Sequence, residues 1–212
     1  MFVYPTFEVE IVRKVDVGQL DWPAPGDSDD DSGLGCNRMY TDLRRLSWGE
    51  ARRVHALEGE LMARVESARN AEEEVSTIED ELYESDSHLY GLDLGVASTV
   101  ISLSAARCVP FSSCNAGTFC GHHQEVYPLV AFFAKAPMID LLLRAATEAE
   151  IGMGNHLFGC LVAYADDVRK VRGFAERLIA MRSLFQGLRA RKISRREESV
   201  GTVIAQGKFP FV

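Results

Sequence analysis

The sequence lacks any run close to the roughly 18 consecutive apolar residues that a membrane-spanning helix needs. Its start, Met1-Phe2-Val3-Tyr4-Pro5, has neither the basic flank nor the apolar core of a signal peptide. No membrane association is therefore expected, and the location read from the sequence is cytoplasmic. Cysteine is sparse: Cys36, Cys108, Cys114, Cys120 and Cys160 make five, an odd number at irregular spacing. That fits reduced thiols and excludes a disulfide framework. Basic residues are outnumbered, 23 against 31 acids for a net charge of −8. A surface that is basic overall is excluded, whereas a local basic patch is not. No internal repeat is visible.

What is present is an ordinary globular composition, 47% hydrophobic and 25% charged over 212 residues, enough for one domain with a real core. The alternation Phe7-Glu8-Val9-Glu10-Ile11 predicts a half-buried strand, extended less regularly through Val12 to Val15. Residues 18–35 turn to Gly, Pro, Ser and Asp and read as a flexible acidic loop. Asp27, Asp29 and Asp31 imitate the first half of a calcium loop, but the glycine falls at the seventh position and Arg38 stands at the twelfth, where a carboxylate is required. No calcium site is assigned.

Ser47 with Glu50 forms a capping-box pattern, and no proline follows until Pro110, so one long helix is expected over 48–84 with Val54, Leu57, Leu61 and Val65 on its apolar face. Asp93 is read as the cap of a helix over 94–106 that carries no charge before Arg107 and should be buried. Strands are expected at 109–112, 129–133 and 160–164. Pro137 should open a helix closed by Gly152 or Gly154, Asp166 should cap a basic helix running to Arg191, and a terminal strand is expected at 202–205. The implied fold class is α+β, a mixed central sheet with packed helices plus a long acidic helix and a long basic helix.

Residues 57–86 hold eleven acids and two bases, a net of −9, and residues 169–196 hold ten bases and one acid, a net of +9. Two neighbouring helices that neutralise each other would account for this. So would an interaction surface in which Arg189, Arg191, Lys192, Arg195 and Arg196 contact nucleic acid or an acidic protein.

Chemistry is concentrated between Cys108 and Phe133, above all in Phe111-Ser112-Ser113-Cys114-Asn115-Ala116-Gly117 and the following His122, His123 and Glu125. A turn of this composition can present hydroxyls and backbone N–H groups to a small anionic or nucleotide-like ligand, with Ser112, Ser113, Asn115, Gly117 and Glu125 as binding residues. The competing use is a polar turn that satisfies its own backbone. Cys114 with His122 or His123 supplies the residue types of a nucleophile and its base. Cys108, Cys114, Cys120 and the histidines do not follow a recurrent zinc spacing, and the strand after Cys108 would carry it away from the others, so no metal is assigned.

The order helix, Ser112-Ser113-Cys114, histidine, apolar strand 128–133, then helix Leu141-Leu142-Leu143-Arg144-Ala145-Ala146 resembles the core of the wybutosine-synthesising tRNA methyltransferase family over roughly residues 88–165. It is similar, too, to uncharacterised bacterial proteins sharing that core. The resemblance implies S-adenosylmethionine as cofactor, RNA as substrate, and a site at Ser112, Ser113, Cys114 and one of His122 or His123. Asn115 stands where that family has serine, Ala116 is inserted before Gly117, and no arginine follows the glycine. A third possibility is a non-enzymatic interaction subunit docking through the charged helices.

Overall fold

The computed structural model describes residues 2–24, 27, 34, 37, 40–84, 89–119 and 125–188. The first helix, α1 (Trp48–Ser67), begins at the capping box: the Ser47 hydroxyl accepts from the Glu50 N–H, and the Glu50 carboxylate accepts from the Ser47 N–H. The single helix expected over 48–84 is two. Ala68 leaves the helical region with ψ 146°, and Asn70 starts a new helix, α2 (Ala71–Glu84), by accepting from the Glu73 N–H with its side chain and from the Glu74 N–H with its carbonyl. Asparagine capping did here what a proline was needed to signal.

Helix α3 (Ala97–Ala105) is buried at all nine positions, as its lack of charge implies. It starts three residues later than expected, after a turn over 94–96. Its N-cap is Val96, which offers no side-chain hydrogen bond, while Asp93 contributes through its carbonyl.

Five strands form one mixed sheet: β1 (Arg13–Lys14), β2 (Val109–Cys114), β3 (Leu129–Phe133), β4 (Gly152–Asn155) and β5 (Leu161–Tyr164), in the order β1-β4-β5-β3-β2. β1 is parallel to β4 and the remaining pairs are antiparallel. In β3, Val130 and Phe132 enter the main core beneath the helices, and Ala131 and Phe133 join Val109, Phe111, Cys160 and Leu34 on the opposite face. The chain is therefore α+β, with helices layered on one face of the sheet and a smaller cluster on the other.

The N-terminal alternation is not a strand at 7–11. Phe7, Val9 and Ile11 are half-buried and Glu8 and Glu10 exposed, but ladder pairing begins only at Arg13. Upstream, the segment is held by isolated bonds from Phe7 N–H to the Asp166 carbonyl and from the Tyr164 hydroxyl to the Glu10 carbonyl.

A 3-10 turn containing Pro137 leads into α4 (Ile139–Glu148), which stops at Glu150 (φ 58°) before either candidate glycine. Gly152 and Gly154 belong to β4 instead. A Cβ at Gly152 would lie 2.2 Å from the Tyr164 ring that crosses it, so the glycine serves close packing between strands.

Helix α5 (Val168–Ala180) is capped by Asp167 rather than Asp166, its side chain accepting from the Arg169 N–H at 2.8 Å. Asp166 pairs with Lys170 at 3.0 Å. A further helical segment, α6, covers 182–188. The continuation to Arg191 and the strand expected at 202–205 lie outside the described residues.

Among the described residues the two charge blocks meet where α5 passes α1, and Arg189 to Arg196 of the basic block lie outside the described residues. Acids of α2 are taken by Arg64 of α1, which reaches Glu74 at 2.8 Å and Glu81 at 2.7 Å. Arg172 of α5 approaches Glu58, at 4.0 Å.

Glu58 is a correction of its own, since it is fully buried on the core face of α1 while neighbouring Leu57 is only half-buried. Its carboxylate accepts from the Gly95 N–H (3.0 Å), the Ser98 N–H (3.4 Å) and the Ser98 hydroxyl. Burial pushes this carboxyl above the usual glutamate range, against the downward pull of Ser98, Arg172 and Gly95. Gly59 keeps the approach open, because a Cβ there would meet the Arg172 guanidinium at 2.4 Å.

Replacing Glu58 by Ala would strand the donors of Gly95 and Ser98 inside the protein. Urea unfolding should show a loss of about 3 kcal/mol for Glu58→Ala and a smaller one for Glu58→Gln. A carboxyl raised in the folded state contributes stability that is full below its unfolded value of about 4.3 and is lost as pH rises through the folded value. Glu58→Gln, which does not ionise, should lack that component of the pH profile.

Candidate functional site

The Ser-Ser-Cys-Asn segment is not a loop between strands. Ser112, Ser113 and Cys114 are the last residues of β2, facing Ala131, Val130 and Leu129 of β3 across a register shift at Phe111. That bulge follows Pro110, whose missing N–H suits an edge strand at an irregularity. Asn37 covers the same edge by donating from its side chain to the Phe111 carbonyl.

Beyond Cys114 the chain makes a self-contained turn. Asn115, buried, donates to the Leu94 carbonyl at 3.1 Å and accepts from the Gly117 N–H at 3.0 Å, and the Thr118 hydroxyl donates to the Asn115 carbonyl at 2.8 Å. Positive φ falls at Ala116 (53°) and Gly117 (75°). This is a polar turn bonding its own backbone.

The candidate residues therefore divide. Ser112 and Ser113 line a recess of about 300 Å³ together with Tyr40, Tyr90, Asp93 and Thr41. Burial, aided by Asp42, pushes the Tyr40 phenol up to about 12, and burial and Glu50 push Tyr90 in the same direction. Among the described residues the polar side chains of the recess are hydroxyls, the Asn37 amide and one carboxylate, set among apolar residues such as Leu43, Val100 and Phe111. Cys114 and Asn115 are buried, Gly117 and Glu125 are exposed on the surface, and His122, His123 and Cys120 lie outside the described residues.

Of the residues that the resemblance assigns to its site, Ser112 and Ser113 line the recess and Cys114 is buried. Cys108 precedes β2 and Cys114 ends it, so the strand separates their α-carbons by about 20 Å. Among the described residues no group of three His, Cys, Asp or Glu side chains is placed to hold a metal ion.

A larger concavity, about 800 Å³, opens where α3 ends and β2 begins. Among the described residues its lining includes four cations, Arg44, Arg45, Arg107 and Lys135, and no acid. Arg107 is there because α3 ends in a Schellman motif: the Arg107 N–H donates to the Ser104 carbonyl and the Cys108 N–H to the Leu103 carbonyl, both at 2.9 Å. The motif requires positive φ at Arg107, 74°, where glycine is usual.

Arg44 and Arg45 sit on a turn that Ser104 ties to the same helix end. The buried Ser104 hydroxyl donates to the Leu43 carbonyl and accepts from the Leu46 N–H. Arg45 is also at positive φ, 72°. Lys135 arrives from the end of β3 and stands over the Trp22 ring, 4.2 Å from its centroid.

Arg44 makes a bidentate pair with Asp42 and holds that carboxyl down to about 2. Among the described residues Arg45, Arg107 and Lys135 have no carboxylate within ion-pair distance. Burial pushes two thiols near this end of the sheet up, Cys108 well above the usual thiol range and Cys160 to about 11, which disfavours the thiolate.

Sequence reasoning passed over these cations because they come from three separate stretches. The nearest thing to a signal was Arg107, a large cation directly after an uncharged helix at the position where a stop glycine belongs. Arg189, Arg191, Lys192, Arg195 and Arg196 lie outside the described residues.

The chain matches no family model, no curated protein and no solved structure. No described helix is long and apolar enough to cross a membrane.

If Arg107 is held in its strained conformation by the helix stop, Arg107→Gly should raise stability by roughly 0.5–1 kcal/mol in urea unfolding. Arg107→Ala, which keeps the Cβ, should give no such gain.

Proposed function

We propose that this protein binds a small anionic ligand, and that the ligand occupies the basic cleft at the end of α3 rather than the Ser112–Asn115 segment. One observation carries the reading. Arg45, Arg107 and Lys135 converge on a concave surface with no acid in its lining and no ion-pair partner among the described residues, in a chain whose net charge is −8. Cations gathered without counter-charges repel one another, and an anionic ligand relieves that repulsion. About 800 Å³ is within the range of small-molecule sites.

The rival reading, methyl transfer from S-adenosylmethionine to RNA, follows from the resemblance alone. It places the ligand at Ser112 and Ser113, so the two readings separate by mutation.

Calorimetric titration with pyrophosphate at low salt should give saturable binding to the wild-type chain. Arg45→Ala and Arg107→Ala should each weaken it about tenfold or more, the loss of one charge-assisted hydrogen bond. Ser113→Ala and Arg52→Ala, the latter an exposed position of α1 outside the cleft, should leave it unchanged. Absence of pyrophosphate binding to the wild type, or binding of S-adenosylmethionine that Ser113→Ala abolishes, would overturn this assignment.

A further inference from the structure

We infer that the ligand of the basic cleft is amphipathic, a phosphate-bearing head on a hydrocarbon body, and not a nucleotide. The inference rests on the anion reading above and concerns the part of the cleft that is not charged.

Apart from the four cations, the described lining is mainly apolar: Trp22, Met138, Phe185 and Leu188 are its large members, with Pro137 and Val109 among the smaller ones, and the Trp22 indole N–H and the Cys108 thiol are its other side-chain polar groups. Among the described residues no side-chain hydroxyl, amide or carboxylate belongs to it. A nucleobase and its ribose carry several donors and acceptors, and burying them against such a wall leaves most of them without side-chain partners. Sites that select for polar ligand bodies supply those partners. A hydrocarbon body needs none and gains from every methylene taken out of water.

The cations are arranged for a compact head. Arg44, Arg45 and Arg107 come from two turns joined by the Ser104 hydroxyl; Arg44 is held by Asp42, which leaves Arg45 and Arg107 as the guanidiniums for a head group. Phe185 and Leu188 belong to α6, and Pro137 and Met138 to the turn before α4. The guanidiniums and the apolar residues of α6 are thus supplied by different elements, and Lys135, at the start of the Pro137 turn, joins the two parts. Phe185 is almost fully buried and packs on Trp48 with ring centroids 6.0 Å apart, making it part of the floor, whereas Leu188 is only half-buried. Trp22, half-buried beneath Lys135, lies where a bound ligand would alter its surroundings.

The shared chemistry, a phosphate monoester on an aliphatic chain, is found both in free amphiphiles and in phospholipid headgroups. The experiment uses the full chain carrying Trp48→Phe, so that Trp22 is the remaining tryptophan, and follows its emission together with calorimetry. The probes are inorganic phosphate, octyl phosphate below its micellar concentration, AMP, and vesicles containing phosphatidic acid.

Octyl phosphate should bind at least about 30-fold tighter than inorganic phosphate, and AMP should bind within about threefold of inorganic phosphate. Leu188→Ser should remove most of the octyl increment and leave phosphate binding intact. Vesicle co-sedimentation without binding of monomeric octyl phosphate supports the inference and assigns a bilayer source. Octyl phosphate binding without co-sedimentation supports it and assigns a free molecule.

AMP binding tighter than octyl phosphate, or equal binding of phosphate and octyl phosphate with no vesicle binding, would sink the amphipathic ligand while the anion reading stands. Failure of phosphate, octyl phosphate, AMP and vesicles alike would remove both.

Discussion

The placement of helix α3 depends on one buried carboxylate. α3 has no side-chain cap of its own, since Val96 occupies the N-cap, and a helix start without partners leaves backbone donors unsatisfied. Glu58 supplies the missing acceptor from a different helix, bonding the Gly95 and Ser98 N–H groups, and its position at the positive end of the α3 dipole is favourable for whatever negative charge it carries. Arg172 of α5 comes within 4.0 Å and donates to the His55 carbonyl of α1 at 3.0 Å. Helices α1, α3 and α5 are thus fixed relative to one another by a polar contact at the centre of an apolar layer. Such contacts add little net stability compared with hydrophobic residues of the same size. What this one fixes is where α3 begins, and through the length of the helix, where it ends.

The position of that end determines the cleft. Arg107 is set by the Schellman stop, and Ser104, the next-to-last residue of α3, holds the Arg44–Arg45 turn against it. A comparison within the molecule shows which part of this is particular. Helix α4 ends in the same motif, with Glu150 at φ 58° and N–H bonds from Glu150 and Ile151 to the Thr147 and Ala146 carbonyls. Glu150 is exposed and lies 4.0 Å from Lys170. Positive φ is therefore this fold's ordinary way of turning a helix into the next strand, and by itself marks no site. The distinction of Arg107 is the company it keeps: Arg45 and Lys135, and among the described residues no carboxylate in the lining.

Elements whose determinants are local were legible in the sequence. The Ser47–Glu50 capping box, the uncharged α3, and the apolar strands β3 and β5 all stand close to where periodicity and composition put them. Errors came where a non-local partner decides. Glu58 reads as one more acid on a charged face until Gly95 and Ser98 are seen to need it. Gly152 and Gly154 read as a helix stop until the Tyr164 ring is found crossing Gly152. The turn after Cys114 drew notice for its reactive side chains, yet Asn115 and Thr118 hold the backbone there. The cleft was invisible for a related reason: no stretch of sequence contains it, and only the folding of three segments onto one helix end brings its charges together.

The distribution of charge bears on what such a cleft admits. With a net charge of −8, the body of the chain repels polyanions, and α2 alone presents three consecutive acids, Glu72, Glu73 and Glu74, in its first turn. At physiological ionic strength these fields fade over about 8 Å, so a positive potential confined to a recess is felt mainly inside it, where low-dielectric walls concentrate it. An extended nucleic acid would have to lay further phosphates along neighbouring surface to gain affinity, since its binding grows with the number of phosphates neutralised. A compact anion needs only the cations that converge at Arg45, Arg107 and Lys135, and its remaining bulk meets Trp22, Met138 and Leu188 instead of charge. The same acids that keep the overall surface negative therefore favour the small ligand over the long one.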